Sequence, residues 1–349
     1  MKLDNRRGFE SDNCSSVHPL VMLALQEANR GHVSGYGYDP ITAEADIAFN
    51  RLFGREVDVF YTFNGTGTNC AALAHLVLPF QSILCADSSH INSAETCAPE
   101  RIANAKLVTV HCPDGKIRPE QLEEAVGGWQ SEHVAMPKVL SLTNVTDEGT
   151  VYSPEELKTL ARIAHEHNMV VHMDGARLAN AVAANGNDVC GTTCGSGVDV
   201  LSFGGTKNGM MFGEAVVFFN HSLAENFKYT RKSCGQLPSK MRYIAAQFLA
   251  VLKDNLWLEM ANHANAMARL LYEKMQGSPC FRTPFVPQAN ELFAHVDDRI
   301  KWQLCKEFPF QHFGPEPNIS RFVTSFDTEE TDIDQLIQRA DELMHKQNK

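Results

Sequence analysis

Ser153-Pro154-Glu155-Glu156-Leu157 opens a stretch that continues through Asn168-Met169-Val170-Val171-His172-Met173 to Asp174-Gly175-Ala176-Arg177. Ser153 is placed to cap a helix, Pro154 suits its first turn, and Glu156 completes a capping box. Leu157, Leu160, Ala161 and Ala164 recur at helical spacing and give that helix one apolar stripe. Asn168 is placed to end it, and Met169 to Met173 makes a short strand. Val139 to Leu142, upstream, reads as another strand. Strand, helix and strand in succession form a βαβ unit, the connection that a parallel pair requires.

The same alternation extends in both directions. Val57 to Phe63 reads as a strand, Thr68 to Leu78 as a helix and Ser82 to Ala86 as a strand, with further strands at Val198 to Phe203 and Ala215 to Phe219. Such a pattern implies an α/β fold with a mainly parallel sheet flanked by helices. After the break at Gly235 to Pro238 the chain turns to long helical stretches, then short strands near Asn290 to Val296 and Arg321 to Ser325. The expected division is a large domain over 1–240, including the N-terminal segment, and a small α+β domain over 241–349. Ile333, Leu336, Ile337, Ala340, Leu343 and Met344 fall at helical spacing, so the last segment is expected to pack as an amphipathic helix.

Composition narrows the function classes. At 349 residues, with 44% apolar and 21% charged residues, the chain reads as a globular protein of about two domains rather than a fibrous or disordered one. A formal charge of −11 opposes nonspecific binding to nucleic acid or an anionic membrane. The opening Met-Lys-Leu-Asp-Asn-Arg-Arg does not read as a secretory leader, and no apolar run approaches the ~20 residues of a membrane span, so a cytoplasmic location is expected. Ten scattered cysteines form no disulfide framework and are read as reduced. Cys190 and Cys194 lack a second Cys/His pair at zinc spacing, and no metal site is expected.

Three groups carry chemistry. Asn64-Gly65-Thr66-Gly67-Thr68-Asn69 lies between a strand and a helix, where glycines allow close approach and the helix N-terminus offers NH groups to a phosphate. An ordinary strand-to-helix turn is equally compatible with it. Gly65 and Gly67 with Asp87 about 20 residues on also approach a dinucleotide fingerprint, although Cys70 stands where that pattern wants a third glycine. Asp174 ends a buried strand, where a carboxylate needs a partner; with Arg177 it could form a structural ion pair. Ser202-Phe203-Gly204-Gly205-Thr206-Lys207-Asn208-Gly209 sets one lysine among small residues at a strand end. A phosphate cup, a buried acid and a glycine-flanked lysine are together what pyridoxal 5'-phosphate (PLP) requires of a protein, whereas dehydrogenation leaves Lys207 unexplained.

Taken in order, Phe9-Glu10-Ser11-Asp12-Asn13, Gly35-Tyr36-Gly37-Tyr38-Asp39, the Asn-Gly-Thr segment, Ser89-His90, His-Met-Asp-Gly-Ala-Arg, Gly-Gly-Thr-Lys-Asn-Gly and Arg321 resemble the threonine aldolase branch of the β-eliminating lyase family, within the fold-type I PLP enzymes. The resemblance implies a seven-stranded, mainly parallel sheet with a smaller α+β C-terminal domain. It implies that Lys207 carries PLP covalently and moves protons, that Asp174 pairs with the pyridinium nitrogen, and that His90 stacks on the ring near the substrate hydroxyl. Gly65 and Thr66 would hold the phosphate with Thr68 as a third contact. Ser11, Arg177 and Arg321 would bind the substrate carboxylate, with Arg177 also beside the cofactor. Tyr36 would reach a neighbouring subunit's site, with Gln236 to Lys240 a weaker candidate for that role, in a homo-oligomer built as a dimer of dimers.

The implied reaction is cleavage of L-threonine or L-allo-threonine to glycine and acetaldehyde. Alternatives are cleavage of phenylserine or another β-hydroxy amino acid, β-elimination, and, from another class, a nucleotide-dependent oxidoreductase. One departure bears on mechanism: many members read Glu-Asn-Thr-His where this chain has Thr143-Asn144-Val145-Thr146, so Thr146 stands in place of a second active-site histidine.

Overall fold

The computed structural model describes residues 6–128, 131–313 and 318–347. Strands β1 (Asp58–Thr62), β2 (Gln81–Ala86), β3 (Lys106–Val110), β4 (Met136–Thr143), β5 (Val170–Gly175), β6 (Val200–Gly204) and β7 (Glu214–Phe218) form one sheet in the order β1-β7-β6-β5-β4-β2-β3. Its pairs are parallel from β3 through β2, β4 and β5 to β6, whereas β7 runs antiparallel to both β6 and β1. The mainly parallel sheet expected from the sequence is therefore present, with β7 reversed. Every residue of β2, β5, β6 and β7 is buried. Near-continuous apolar runs suit strands covered on both faces.

The βαβ unit forms as its local signals require. Ser153 Oγ accepts from the Glu156 amide at 3.3 Å and Glu156 Oε2 accepts from the Ser153 amide at 2.8 Å, so the helix Pro154–Glu166 starts in a reciprocal capping box. Its stripe of Leu157, Leu160, Ala161, Ile163 and Ala164 is buried against the sheet. Asn168 takes a φ of 58°, the left-handed turn that ends the helix and feeds β5. The helix Gly65–Leu76 begins three residues before the expected Thr68, because Asn64 Oδ1 accepts from the Gly67 amide at 2.8 Å and caps it there. Helices Pro19–Ala28 and Pro40–Phe53 and strand β3 arise where no element was expected.

A second sheet holds β8 (Phe281–Arg282), β9 (Glu291–Val296), β10 (Gln311–Phe313) and β11 (Ile319–Val323), antiparallel throughout in the order β10-β11-β9-β8. Leu336, Ala340 and Leu343 of the helix Glu330–Gln347 pack with Leu292 and Phe322 in a smaller core. The helix Leu256–Gln276 serves both cores: Trp257 and Met260 join the large one, Leu271 and Met275 the small one. Phe9, near the start of the chain, is also part of the small core. Its amide donates to Pro309 O at 2.6 Å and its carbonyl accepts from the Val323 amide at 2.8 Å. That anchorage carries Ser11 to Asn13 toward the carboxyl ends of the parallel strands, where open α/β sheets bind ligands.

Candidate active site

A cavity of about 360 Å³ opens at those strand ends. It is walled by Asn64 to Thr66 from the first turn of Gly65–Leu76, by Asp174 from β5, by Phe203 and Gly204 from β6, by Lys207 and by His90. The capped turn leaves the Gly65 and Thr66 amides without intrahelical acceptors, as the first residues of any helix must be. Thr68 also lines the cavity, with its hydroxyl 2.6 Å from that of Thr62 and donating to Asn64 O at 2.7 Å. The Gln236 carboxamide sits over this turn, accepting from the Phe63 amide at 3.0 Å, and a methyl group on Gly67 would overlap it. Gln236 thus faces the glycine turn of its own chain.

Asp174 is nearly inaccessible and does not pair with Arg177. It accepts from Asn69 Nδ2 at 2.8 Å and from the Ala176 amide at 3.0 Å. The same Asn69 amide group donates to Glu95 Oε1 at 3.1 Å, and Glu95 Oε1 lies 2.8 Å from His90 Nδ1. His90 is the first residue of a short helix, His90–Ser93, that follows β2. The hydrogen bond to buried Glu95 raises the imidazole pKa above its ordinary value, against the opposing effect of burial. Asn69 and Glu95 therefore tie the orientation of His90 to that of Asp174 through one hydrogen-bonded chain.

Lys207 follows β6 and lines the cavity; its amine has no hydrogen bond or ion pair among the described residues. Gly204 is required at the strand end, since a Cβ there would stand 2.5 Å from the Ala176 carbonyl oxygen. Glu214, opposite Gly204 on β7, accepts from the Gly205 amide at 2.6 Å and braces the lysine's loop. Burial pushes the Glu214 carboxyl up to about 7.

Two arginines are organised by two buried acids. Arg177 Nε and Nη2 donate to Asp12 at 2.7 and 3.0 Å, a bidentate pair in which both side chains are almost wholly buried. Arg177 Nη1 lies 3.5 Å from Glu291 Oε1, and the same oxygen accepts from Arg321 Nη1 at 3.0 Å. Burial opposes ionisation of Asp12, but the Arg177 charge and then that of Lys207 hold its carboxyl below the usual range. Arg321 is joined to Arg177 through Glu291 and does not itself line the cavity. Ser11 also stands off it, with its hydroxyl accepting from the Asn13 amide at 3.1 Å as a cap. Asp12 and Glu291 were not anticipated, since each meets Arg177 only through the tertiary fold.

Three residues singled out in the sequence are placed as follows. Asp87, the ribose partner of the dinucleotide alternative, is absent from the cavity wall and instead binds the Cys112 amide at 3.0 Å and His111 Nδ1 at 2.7 Å. Thr146 is buried and turned toward the Thr150 hydroxyl at 2.8 Å, while the next residue, Asp147, lines the cavity. Tyr36 is 48% exposed, and its ring lies beneath Lys232 Nζ at 5.6 Å.

The donor set fits PLP: an amine without a partner among the described residues, a buried carboxylate held by two NH groups, helix-terminal amides without intrahelical acceptors to meet a phosphate, and an imidazole at the wall. Residues 8–299 match the family model described as beta-eliminating lyase. The chain is 41% identical to the low specificity L-threonine aldolase of Pseudomonas aeruginosa, over 93% of this chain and 94% of that one. It is 39% identical to the low specificity L-threonine aldolase of a Pseudomonas species, over 95% and 96%. The solved structure of a threonine aldolase from Leishmania major superposes with a TM-score of 0.91 at 31% identity, covering 97% of this chain and 99% of that one.

Proposed function

Because the chain belongs to the β-eliminating lyase family, we propose that it is a PLP-dependent carbon–carbon lyase that cleaves L-threonine and L-allo-threonine to glycine and acetaldehyde. Its architecture is that of the fold-type I PLP enzymes. The observation that carries the reading is the meeting of Lys207, Asp174 and His90 on one cavity with the Asp12-braced guanidinium of Arg177 at its wall.

Lys207 would hold the cofactor covalently, Asp174 its ring nitrogen, Gly65 and Thr66 its phosphate, and His90 would lie against the ring. Bound PLP supplies a conjugated ring that accepts the electron pair of the bond broken at Cα. Asp174, oriented by its two NH partners, would favour a protonated ring nitrogen in the bound cofactor, and each pKa unit of that preference corresponds to about 1.4 kcal/mol. Arg177 binds the substrate carboxylate, with Arg321 and Ser11 steadying that end of the site. Fixing the carboxylate would orient the substrate and so select which bond at Cα is broken. His90, anchored at Nδ1 by Glu95, has Nε2 to direct at the β-hydroxyl. Lys207 Nζ carries the proton delivered to Cα as glycine forms.

We read the active form as a homo-oligomer, a dimer of dimers. Exposed Met22, Leu23, Met211 and Phe212 lie on one apolar depression that shares Phe63 and Phe212 with the wall of the active site, which supports a subunit contact there. Tyr36 would reach the neighbouring site. Ten unpaired thiols support a reducing, cytoplasmic location. The discriminating experiment measures aldehyde from L-threonine and L-allo-threonine beside pyruvate from L-serine, using PLP-loaded protein. Aldehyde with little pyruvate is expected; pyruvate as the main product would assign β-elimination instead.

A further inference from the structure

We propose that Asp147 is a catalytic residue, the group that takes the proton from the β-hydroxyl of the bound amino acid. The proposal rests on the aldol-cleavage reading above and assigns the β-hydroxyl proton to Asp147 rather than to His90 or a water that His90 positions. Asp147 follows β4 and lines the cavity with His90, Asp174 and Lys207. Four carboxylates line that wall. Asp174 accepts from Asn69 and Ala176, Glu95 from Asn69 and His90, and Glu214 from Gly205. Asp147 accepts no hydrogen bond among the described residues, and its Oδ2 is buried without a partner. Asp147 is half-buried, so one oxygen is shut off from solvent without a partner, which costs folding free energy; an oxygen left so at the wall of a reaction site points to use rather than structure.

Its surroundings suit the task. The charged groups facing it are Glu291 at the start of β9, His90 after β2, Asp174 in β5, Arg177 beyond it, and its neighbour Glu148. Burial first, then the Glu291 charge, push the Asp147 carboxyl up to about 6. A carboxylate in that range is ionised at neutral pH yet basic enough to accept a proton during reaction. His90 is disposed differently: with Glu95 on Nδ1 raising its affinity for a proton, it is suited to donate to the hydroxyl oxygen and orient it. Thr146, at the position of the missing histidine, is turned away, and the adjacent residue supplies the proton acceptor.

In the step, the O–H bond of the β-hydroxyl breaks and its proton passes to Asp147. The O–H electron pair becomes the second bond of the aldehyde carbonyl as Cα–Cβ breaks. The Cα–Cβ pair remains with the glycine fragment, which is neutralised by a proton at Cα, and Asp147 then releases its proton to water.

Glycine has no β-hydroxyl, so exchange of its Cα proton for deuterium by the PLP-loaded enzyme bypasses Asp147. In Asp147→Asn, kcat for aldehyde release from both threonine isomers is expected to fall about 10²–10⁴-fold, with glycine exchange followed by NMR changing less than about threefold and PLP absorbance unchanged. The wild type alone provides a second measurement: cleavage should show an acid limb near about pH 6 that glycine exchange lacks. Cleavage retained in Asp147→Asn, cleavage and exchange falling together, or one pH profile shared by both wild-type reactions would each overturn the proposal. Wild-type protein that exchanges glycine yet releases no aldehyde from either isomer would overturn the aldolase reading itself.

Discussion

Replacing Asp12 by alanine removes both hydrogen bonds that fix the Arg177 guanidinium, at 2.7 and 3.0 Å, in a pair where the arginine side chain is 7% exposed and the aspartate 1%. Deleting one member of a buried pair leaves the other charge uncompensated and costs about 3–5 kcal/mol. Here the low end applies, because Glu291 still faces Nη1 at 3.5 Å. At about 2–4 °C per kcal/mol, 3 kcal/mol lowers Tm by about 6–12 °C. The double change Asp12→Ala with Arg177→Met removes the stranded charge and should recover more than half of that shift. Thermal unfolding of the PLP-loaded variants measures both. Kinetics supply an independent sign: with Arg177 no longer held, KM for threonine should rise about tenfold, more than kcat falls, as expected when ground-state positioning is lost. A Tm shift under about 2 °C, or a double variant no better than Asp12→Ala, would refute the claim that Asp12 is what holds Arg177 in place.

Other perturbations test separate parts of the site. Gly67→Ala should displace the Gln236 carboxamide from the glycine turn and weaken PLP binding about tenfold with little change in Tm, read by absorbance titration of the apoenzyme. Glu95→Gln removes the partner that raises the His90 pKa. A raised imidazole pKa stabilises the fold below its unfolded value of about 6.5 and loses that effect as pH rises through the folded value, so the Tm gap between wild type and variant should be wider at pH 5.5 than at pH 9. Ser153→Ala breaks the capping box and should cost about 1 kcal/mol of stability while leaving kcat unchanged, since Ser153 does not line the cavity.

The elements legible in the sequence were those specified by neighbours in the chain. Ser153, Pro154 and Glu156 form a complete helix start within four residues, and the apolar runs of β5 and β6 identify central strands without knowledge of their partners. Asp39-Pro40 carries the same cap-then-proline signal, with Asp39 Oδ1 accepting from the Thr42 amide at 2.9 Å, and could have revealed the helix Pro40–Phe53. Strand β3 offered less: it sits at a sheet edge, opens on an exposed lysine and buries only Leu107 fully. In the site, Lys207, Asp174 and His90 were readable because each stands in a short motif. Their supporting residues were not. Asn69 meets Asp174 across 105 positions, and Asp12 meets Arg177 across 165, pairings that exist only once the sheet and the small domain are assembled. Asp147 adjoined the position of the missing histidine, but only the orientation of the Thr146 side chain shows which of the two faces the cavity.

The most direct test of the central claim is stoichiometric release of glycine and acetaldehyde from L-threonine and L-allo-threonine by PLP-loaded wild type, with Lys207→Ala measured in parallel. Equal amounts of the two products from the wild type and none above background from the variant are the expected result. Equal release by both proteins, or glycine-free turnover, would contradict it.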